Sequence, residues 1–347
     1  MKKIYLGPIE NSNDVFYIFK NVLKLSNSSN VNFEEGRVFD FQGFEIVETV
    51  EESDIVFFPY NISSLKSKYL TLVAEYKEVA KRNNKKLIVS ACGDLADKVA
   101  VDDCILLKNS IYAYSMRKNE ICIPAFSEDL GLSEDVVFRN KAPMPVIGFC
   151  GWAGFNNNWL YVKYCVKILT LMAKGVLDKN IIYRIPGLYF RRKIIGIIKK
   201  NPFMVSNFII RNSYSGHKKT ILLDPVKARS EFIQNVKDSD FVLAPKGDGN
   251  FSNRFYETLS MGRIPVIIDT SVVLPLQNFI DYNKFIVITP IKSINKIDEQ
   301  ILEIYNSMSA NDYLNMQHEA LRTYRELLNP VSFFNFFFNT LIDTHDA

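Results

Sequence analysis

Short apolar runs that alternate with stretches of helical spacing constrain this chain more than any other feature. Residues 4–6 read as a first buried strand ended by Gly7-Pro8. Residues 14–25 then carry Val15, Ile18, Phe19, Val22 and Leu23 at helical spacing. Residues 54–58 form a second apolar run closed by Pro59. A helix follows over 67–82, with Leu70, Val73, Ala74, Tyr76 and Val79 as its apolar positions. A third strand over 86–90 ends in Ala91-Cys92-Gly93-Asp94. Strands and helices in this alternation build a parallel sheet covered on both faces.

The pattern restarts after Lys141-Ala142-Pro143-Met144-Pro145, where two prolines interrupt regular structure. A strand over 146–151 leads through Trp152-Ala153-Gly154 into a helix over 160–174. A strand over 208–210, a helix over 227–236 and a strand over 241–244 come next. A glycine-rich loop, a helix over about 252–261 and a strand over 264–268 follow, and the end of the chain is helical on both sides of Pro330. The expected fold class is α/β, with two Rossmann-like doubly wound domains facing across a cleft. Residues 1–142 form the first domain and 146–328 the second, and 329–347 form a helix crossing back to the first. Ligands of such sheets bind beyond the carboxyl ends of the strands, which places the site in the cleft.

Composition narrows the function. The 347 residues are 48% hydrophobic and 23% charged, which suits a packed globular chain and excludes disorder. A net charge of +4 excludes a generally polybasic protein. Five cysteines without CxxC spacing and only three histidines argue against a His/Cys metal site, so no metal ligand is assigned. No signal segment or membrane span is legible, and the expected location is cytoplasmic, with peripheral contact at the inner face of the membrane. The charge is uneven. Residues 141–230 hold 16 basic and 2 acidic residues, net +14, inside a nearly neutral chain. Such a segment calls for an anionic ligand or surface. Residues 189–200, with basic clusters flanking apolar residues, are the expected place of contact with an anionic membrane, and an ordinary helix with a buried Ile face is the alternative. No aromatic-rich recognition module accompanies the charge, so nucleic acid is not an expected partner.

The stretch from 238 to 269 carries the chemistry. A buried strand runs into Lys246-Gly247-Asp248-Gly249, then Ser252 opens a helix bearing Arg254 and Glu257. Glycines let a backbone approach phosphate closely. A helix N-terminus presents free N–H groups to an anion, and an arginine fork suits a diphosphate. Glu257, three residues after Arg254, shares its helix face and is placed to accept ribose hydroxyls. These parts together would hold a nucleoside diphosphate. The same residues also fit a tight turn, a cap and a surface ion pair.

Residues 246–269 resemble the C-terminal part of the exostosin family of glycosyltransferases. That family shows an Arg-Gly-Asp loop, a Ser-x-Arg-x-x-Glu helix and Gly-x-Ile-Pro-Val. The likeness continues through Val273-Leu274-Pro275 and through Phe279-Ile280-Asp281-Tyr282-Asn283-Lys284-Phe285. Asn207-Phe208-Ile209-Ile210-Arg211 and Ser215-Gly216-His217 look like the bacterial branch, and Asp54–Pro59 resembles a family strand. Lys246 stands where arginine is common. The resemblance implies a GT-B fold and inverting transfer from a nucleotide sugar, commonly a UDP-sugar. The acceptor would be a growing surface polysaccharide, glycan or lipid-linked glycan, and no cofactor beyond the donor substrate would be required. Lys246, Gly247, Asp248, Gly249, Ser252, Arg254, Glu257 and Arg211 would hold the donor. Two alternatives stand beside this: a non-catalytic glycosyltransferase-like subunit, and a nucleotide-sugar epimerase on the same fold.

An inverting transfer needs a base to deprotonate the acceptor hydroxyl. Asp94, at the end of a strand of the first domain, is the expected base beside Arg254 in catalysis, with Glu10 and Asp14 as rivals. Phe149–Gly154 would approach the donor phosphates, and His217 is a secondary candidate. Asp238-Ser239-Asp240 has metal-motif spacing but reads as a solvated turn. The cluster Phe333–Phe338 reads as a helix packed across both domains.

Overall fold

The computed structural model describes residues 1–10, 15–20, 23, 41, 43–62, 67–213 and 223–344. Two parallel sheets form its frame. The first holds β1 (Lys2–Tyr5), β2 (Phe44–Val47), β3 (Ile55–Asn61), β4 (Lys86–Ser90), β5 (Ile105–Lys108) and β6 (Glu120–Cys122), in the order β2-β1-β3-β4-β5-β6. The second holds β7 (Val146–Trp152), β8 (Val205–Arg211), β9 (Phe241–Leu243), β10 (Ile264–Asp269) and β11 (Val287–Pro290), in the order β11-β10-β9-β7-β8. With helices flanking each sheet, this is the expected GT-B frame of two Rossmann-like domains.

Local sequence explains most of these elements. β4 buries Leu87, Ile88, Val89 and Ser90, as suits a strand covered on both faces. Pro59 does not end β3. The strand continues to Asn61, because the pairing with β4 shifts register between Phe57 and Asn61. An irregularity of that kind lets a central strand carry a residue that cannot donate to the ladder. Helix α1 (Tyr17–Lys20) buries Ile18 and Phe19. Helix α2 (Ser67–Arg82) buries Tyr69, Val73, Tyr76 and Ala80, whereas Leu70 and Ala74, expected on its inner face, are exposed. At β5, Lys108 is buried and pairs with buried Glu120 of β6 at 2.7 Å.

The segment leading to the second sheet makes contacts with that sheet's elements. Helix α3 (Leu130–Ser133) packs Leu130 beside Val242 and Met261. Arg139 Nε donates to Asp240 at 2.6 Å, and the Ala142 amide donates to Tyr305 Oη at 2.9 Å. Asp240 therefore lies in no solvated turn. It is fully buried and also accepts from the Val146 amide and Tyr313 Oη, each at 2.7 Å.

The second sheet is flanked by α4 (Asn158–Leu177), α5 (Gly187–Ile198), α6 (Pro225–Lys237), α7 (Asn253–Ser260), α8 (Ile297–Ser307) and α9 (Ala310–Thr323). Ser309 and Asp312 close a capping box on α9. A π-helical turn at Tyr324–Leu328 leads to α10 (Pro330–Phe336), a second π-helical turn and α11 (Ile342–Thr344). There Phe334 meets Phe16, Phe41 and Phe126, Phe338 meets Phe44, and Lys2 bonds Asp343. The phenylalanine cluster thus anchors the C-terminal helices on the first sheet's side.

Candidate functional site

The loop between β9 and α7 lies against the carboxyl end of the first sheet. The Gly247 amide donates to the Phe251 carbonyl at 2.8 Å and closes the loop on itself. The Gly249 amide donates to Asp94 Oδ1 at 3.1 Å, and the Asn250 amide donates to Ser110 Oγ at 2.8 Å. Asn250 Nδ2 donates to the Ile111 carbonyl at 2.9 Å, while its Oδ1 accepts from Thr270 Oγ1 at 2.6 Å. A Cβ on Gly249 would stand 2.9 Å from the Asp94 Cα and 2.8 Å from the Phe251 ring, so only glycine fits this approach. Ser110, Asn250 and Thr270 were not singled out in the sequence. Asn250 lies inside the glycine-rich motif, but its burial is visible only in the structure.

Arg254 sits in the first turn of α7 and reaches the exit of β7. Its Nη2 donates to the Cys150 carbonyl at 2.8 Å, and its guanidinium lies 4.5 Å from the Phe149 ring centroid. Its Nε is buried with no hydrogen-bond partner among the described residues. Gly151, at φ +152°, makes room for the fork, since a Cβ there would come within 2.7 Å of Nη2. Burial, reinforced by Arg191 and Arg211 and opposed by Glu257, pulls the Arg254 pKa down to about 10. Other arginines fasten the same exit. Arg191 donates to the carbonyls of Trp152 and Lys246, and Arg192 to that of Ala153. Arg211, at the end of β8, bonds Glu231 at 3.1 Å and the Ala228 carbonyl at 2.9 Å. Part of the localised positive charge is thus turned inward, around the carboxyl end of β7.

Arg254 and Glu257 do not form a surface ion pair. Glu257 is buried, and its Oε1 accepts from Arg229 of α6 at 3.0 Å. Arg229 also bonds Glu128. Ser252 is the N-cap of α7, and its hydroxyl makes no capping bond. Asp248 is exposed at the loop tip. Lys246 is engaged elsewhere: its Nζ donates to Tyr112 Oη and the Tyr183 carbonyl, each at 2.9 Å, and burial lowers its pKa to about 8. Asp94 is exposed as a residue, but partial desolvation raises the pKa of its carboxyl group. The Gly249 hydrogen bond opposes the rise and Asp248 adds to it. Glu10 is exposed at the other side of β3, where its amide donates to Tyr60 Oη at 2.7 Å. Asp14 and His217 lie outside the described residues. Among the described residues no group of three or more His, Cys, Asp or Glu side chains gathers to hold a metal ion.

The segment that supplies this arrangement matches a known family. Residues 187–305, from α5 to α8, fit the Exostosin GT47 domain. That part of the chain is thus similar to the exostosin GT47 domain. An Exostosin-1 homolog of Caenorhabditis elegans is 34% identical over 74 residues, 21% of this chain and 19% of that protein. A probable glycosyltransferase of Arabidopsis thaliana is 29% identical over 110 residues, 31% of this chain and 20% of that protein. The chain thus spans about a fifth of the length of these curated relatives. They come from an animal and a plant. Among solved structures, Anabaena HepE in complex with UDP-glucose is 11% identical, with 99% of this chain and 100% of that chain covered at a TM-score of 0.38. TarM is 10% identical, with 75% and 55% covered at 0.33.

Proposed function

We propose that this exostosin-related protein is an inverting glycosyltransferase that uses a nucleoside diphosphate sugar, a UDP-sugar, as donor and a glycan as acceptor. The observation that carries the reading is the Arg254 guanidinium: half-covered, with its Nε buried and without a partner among the described residues, and pushed toward deprotonation first by desolvation and then by Arg191 and Arg211. A desolvated cation in that state is a site for an anion. A diphosphate of the donor fits the fork and its setting at the first turn of α7.

In this reading the second sheet's unit binds the donor and the first sheet's unit presents the acceptor. Arg254 and Arg211 meet the diphosphate, with Ser252 and the Gly247–Gly249 backbone beside it, and Glu257 accepts ribose hydroxyls. Lys246 holds Tyr112 and so positions the loop. The acceptor hydroxyl attacks the anomeric carbon from the face opposite the diphosphate. One carbon–oxygen bond forms as the bond to the diphosphate breaks, the hydroxyl proton passes to Asp94, and the leaving group departs with the bonding pair. Arg254 stabilises the negative charge that grows on the leaving oxygen. A carboxylate with a raised pKa is a better base than an ordinary one. Calorimetric titration with UDP and UDP-sugars, followed by an assay for UDP release with and without glycan acceptors, tests the proposal. Conversion of the sugar without transfer would favour the epimerase reading.

A further inference from the structure

Helix α4 leaves most of its surface uncovered. Of its 20 residues only Ile168 is buried, and Tyr164, Leu171 and Gly175, which share its face, are partly covered. On the opposite side Val162, Val166, Leu169, Ala173 and Val176 follow one another at helical spacing and form one exposed row. Val166 is 58% exposed, Leu169 66% and Val176 83%. Trp159, Tyr161, Met172 and Leu177 extend the same apolar surface, and all are exposed. Lys163, Lys167 and Lys174 line its edge, and the helix contains no acidic residue.

We propose that α4 is a membrane-docking helix that lies flat on an anionic lipid bilayer. An apolar row edged by lysines matches the boundary between acyl chains and anionic headgroups: the apolar side chains enter the first and the ammonium groups reach back to the second. Trp159 and Tyr161 supply the amphipathic aromatics favoured at that depth. At about 1.5 Å per residue the helix is roughly 30 Å long, yet among the described residues no helix is long and apolar enough to cross a membrane. An antiparallel second copy fits the surface poorly, because it would bring two lysine rows together with no acidic residue of the helix between them. Residues 189–200, expected from the sequence to make this contact, do not offer the face. α5 buries Leu188, Phe190, Ile194, Ile195 and Ile198 in the core. The inference does not depend on the donor reading. It does place a bilayer beside the site, since only five residues separate the end of β7 from the start of α4.

Flotation of the full chain with phosphatidylcholine vesicles, with and without about a third phosphatidylglycerol, tests it. The protein should float with the anionic vesicles, and 1 M salt should release it. At about 1 kcal/mol per lysine near an anionic surface, the variant Lys163→Gln, Lys167→Gln, Lys174→Gln should partition about 100-fold more weakly. Val166→Asn with Leu169→Asn, on exposed positions that leave the melting temperature unchanged, should lose about as much. No flotation of the wild type, equal flotation on both vesicles, or unchanged flotation of both variants would overturn the proposal. So would self-association of the wild type that the variants abolish while no vesicle is bound.

Discussion

Asp94 Oδ1 accepts a hydrogen bond from the Gly249 amide at 3.1 Å, across 155 positions of chain. The bond joins the carboxyl end of the first sheet to the glycine loop of the second, and it sets a proposed base beside the proposed donor cradle. Its partners have opposite consequences for stability and for activity.

Asp94→Asn should keep the fold and lose the reaction. The folded-state pKa of Asp94 is raised above 3.8, so the native protein holds the proton to higher pH than the unfolded chain. Stability from this group therefore falls as pH rises through the window between the two values, and its ionisation is a cost at pH 7. The asparagine variant should melt no lower than wild type at pH 7. Its turnover should fall on the order of 100- to 10,000-fold. Retained turnover would move the base to another residue.

Gly249→Ala should destabilise the junction. The added methyl would meet the Asp94 Cα and the Phe251 ring inside 3.0 Å, and backbone on one side cannot yield cheaply. An overpacked site of this kind costs about 1–3 kcal/mol, read as a lower midpoint in urea with an unchanged slope.

Lys246 gives a pH signature of the opposite sign to that of Asp94. It releases its proton near pH 8 in the folded chain, against 10.5 for the free side chain. Between those values the unfolded chain binds more protons, so raising pH favours the native state. The stability of wild type relative to Lys246→Met should therefore rise from pH 8 to pH 10, by a few kcal/mol at most, at about 1.4 kcal/mol per pKa unit. A difference that stays flat would show that Lys246 is not charged and buried as described.

Asp240→Ala should be among the most damaging substitutions outside the site. It would leave Arg139, the Val146 amide and Tyr313 without the buried carboxylate that all three share. Breaking a buried pair from one side costs about 3–5 kcal/mol. Thermal unfolding measures it directly, and a change under about 1 kcal/mol would contradict the network.

The sequence was most legible where a local period matched burial on both faces. Residues 86–90 were read as the strand that β4 forms, and α2 was placed at both ends. Its inner face was not, because Leu70 and Ala74 are apolar yet exposed and Tyr69 and Ala80 are buried instead. β5 and β6 are not legible in the sequence, because a four-residue and a three-residue strand carry almost no period, and their Lys108 and Glu120 look like surface residues until each buries the other. β2 and β11, each only four residues long, are equally illegible. At the site, spacing brought Arg254 and Glu257 onto one helix but did not show that Arg229, from another helix, takes the carboxylate. The mooring of the glycine loop on Asp94, Ser110 and Ile111 depends on contacts far apart in sequence, which no local pattern encodes.

The most direct measurement is calorimetric titration of UDP into the wild type and into Arg254→Lys, with both folds checked by thermal melt. Lysine keeps the charge but loses the fork that serves the Cys150 carbonyl and leaves Nε open. UDP should bind the wild type and bind the variant about 10- to 150-fold more weakly, the worth of about 1.5–3 kcal/mol for a hydrogen bond to a charged group. Equal affinity in two folded proteins, or no binding to the wild type, would contradict it.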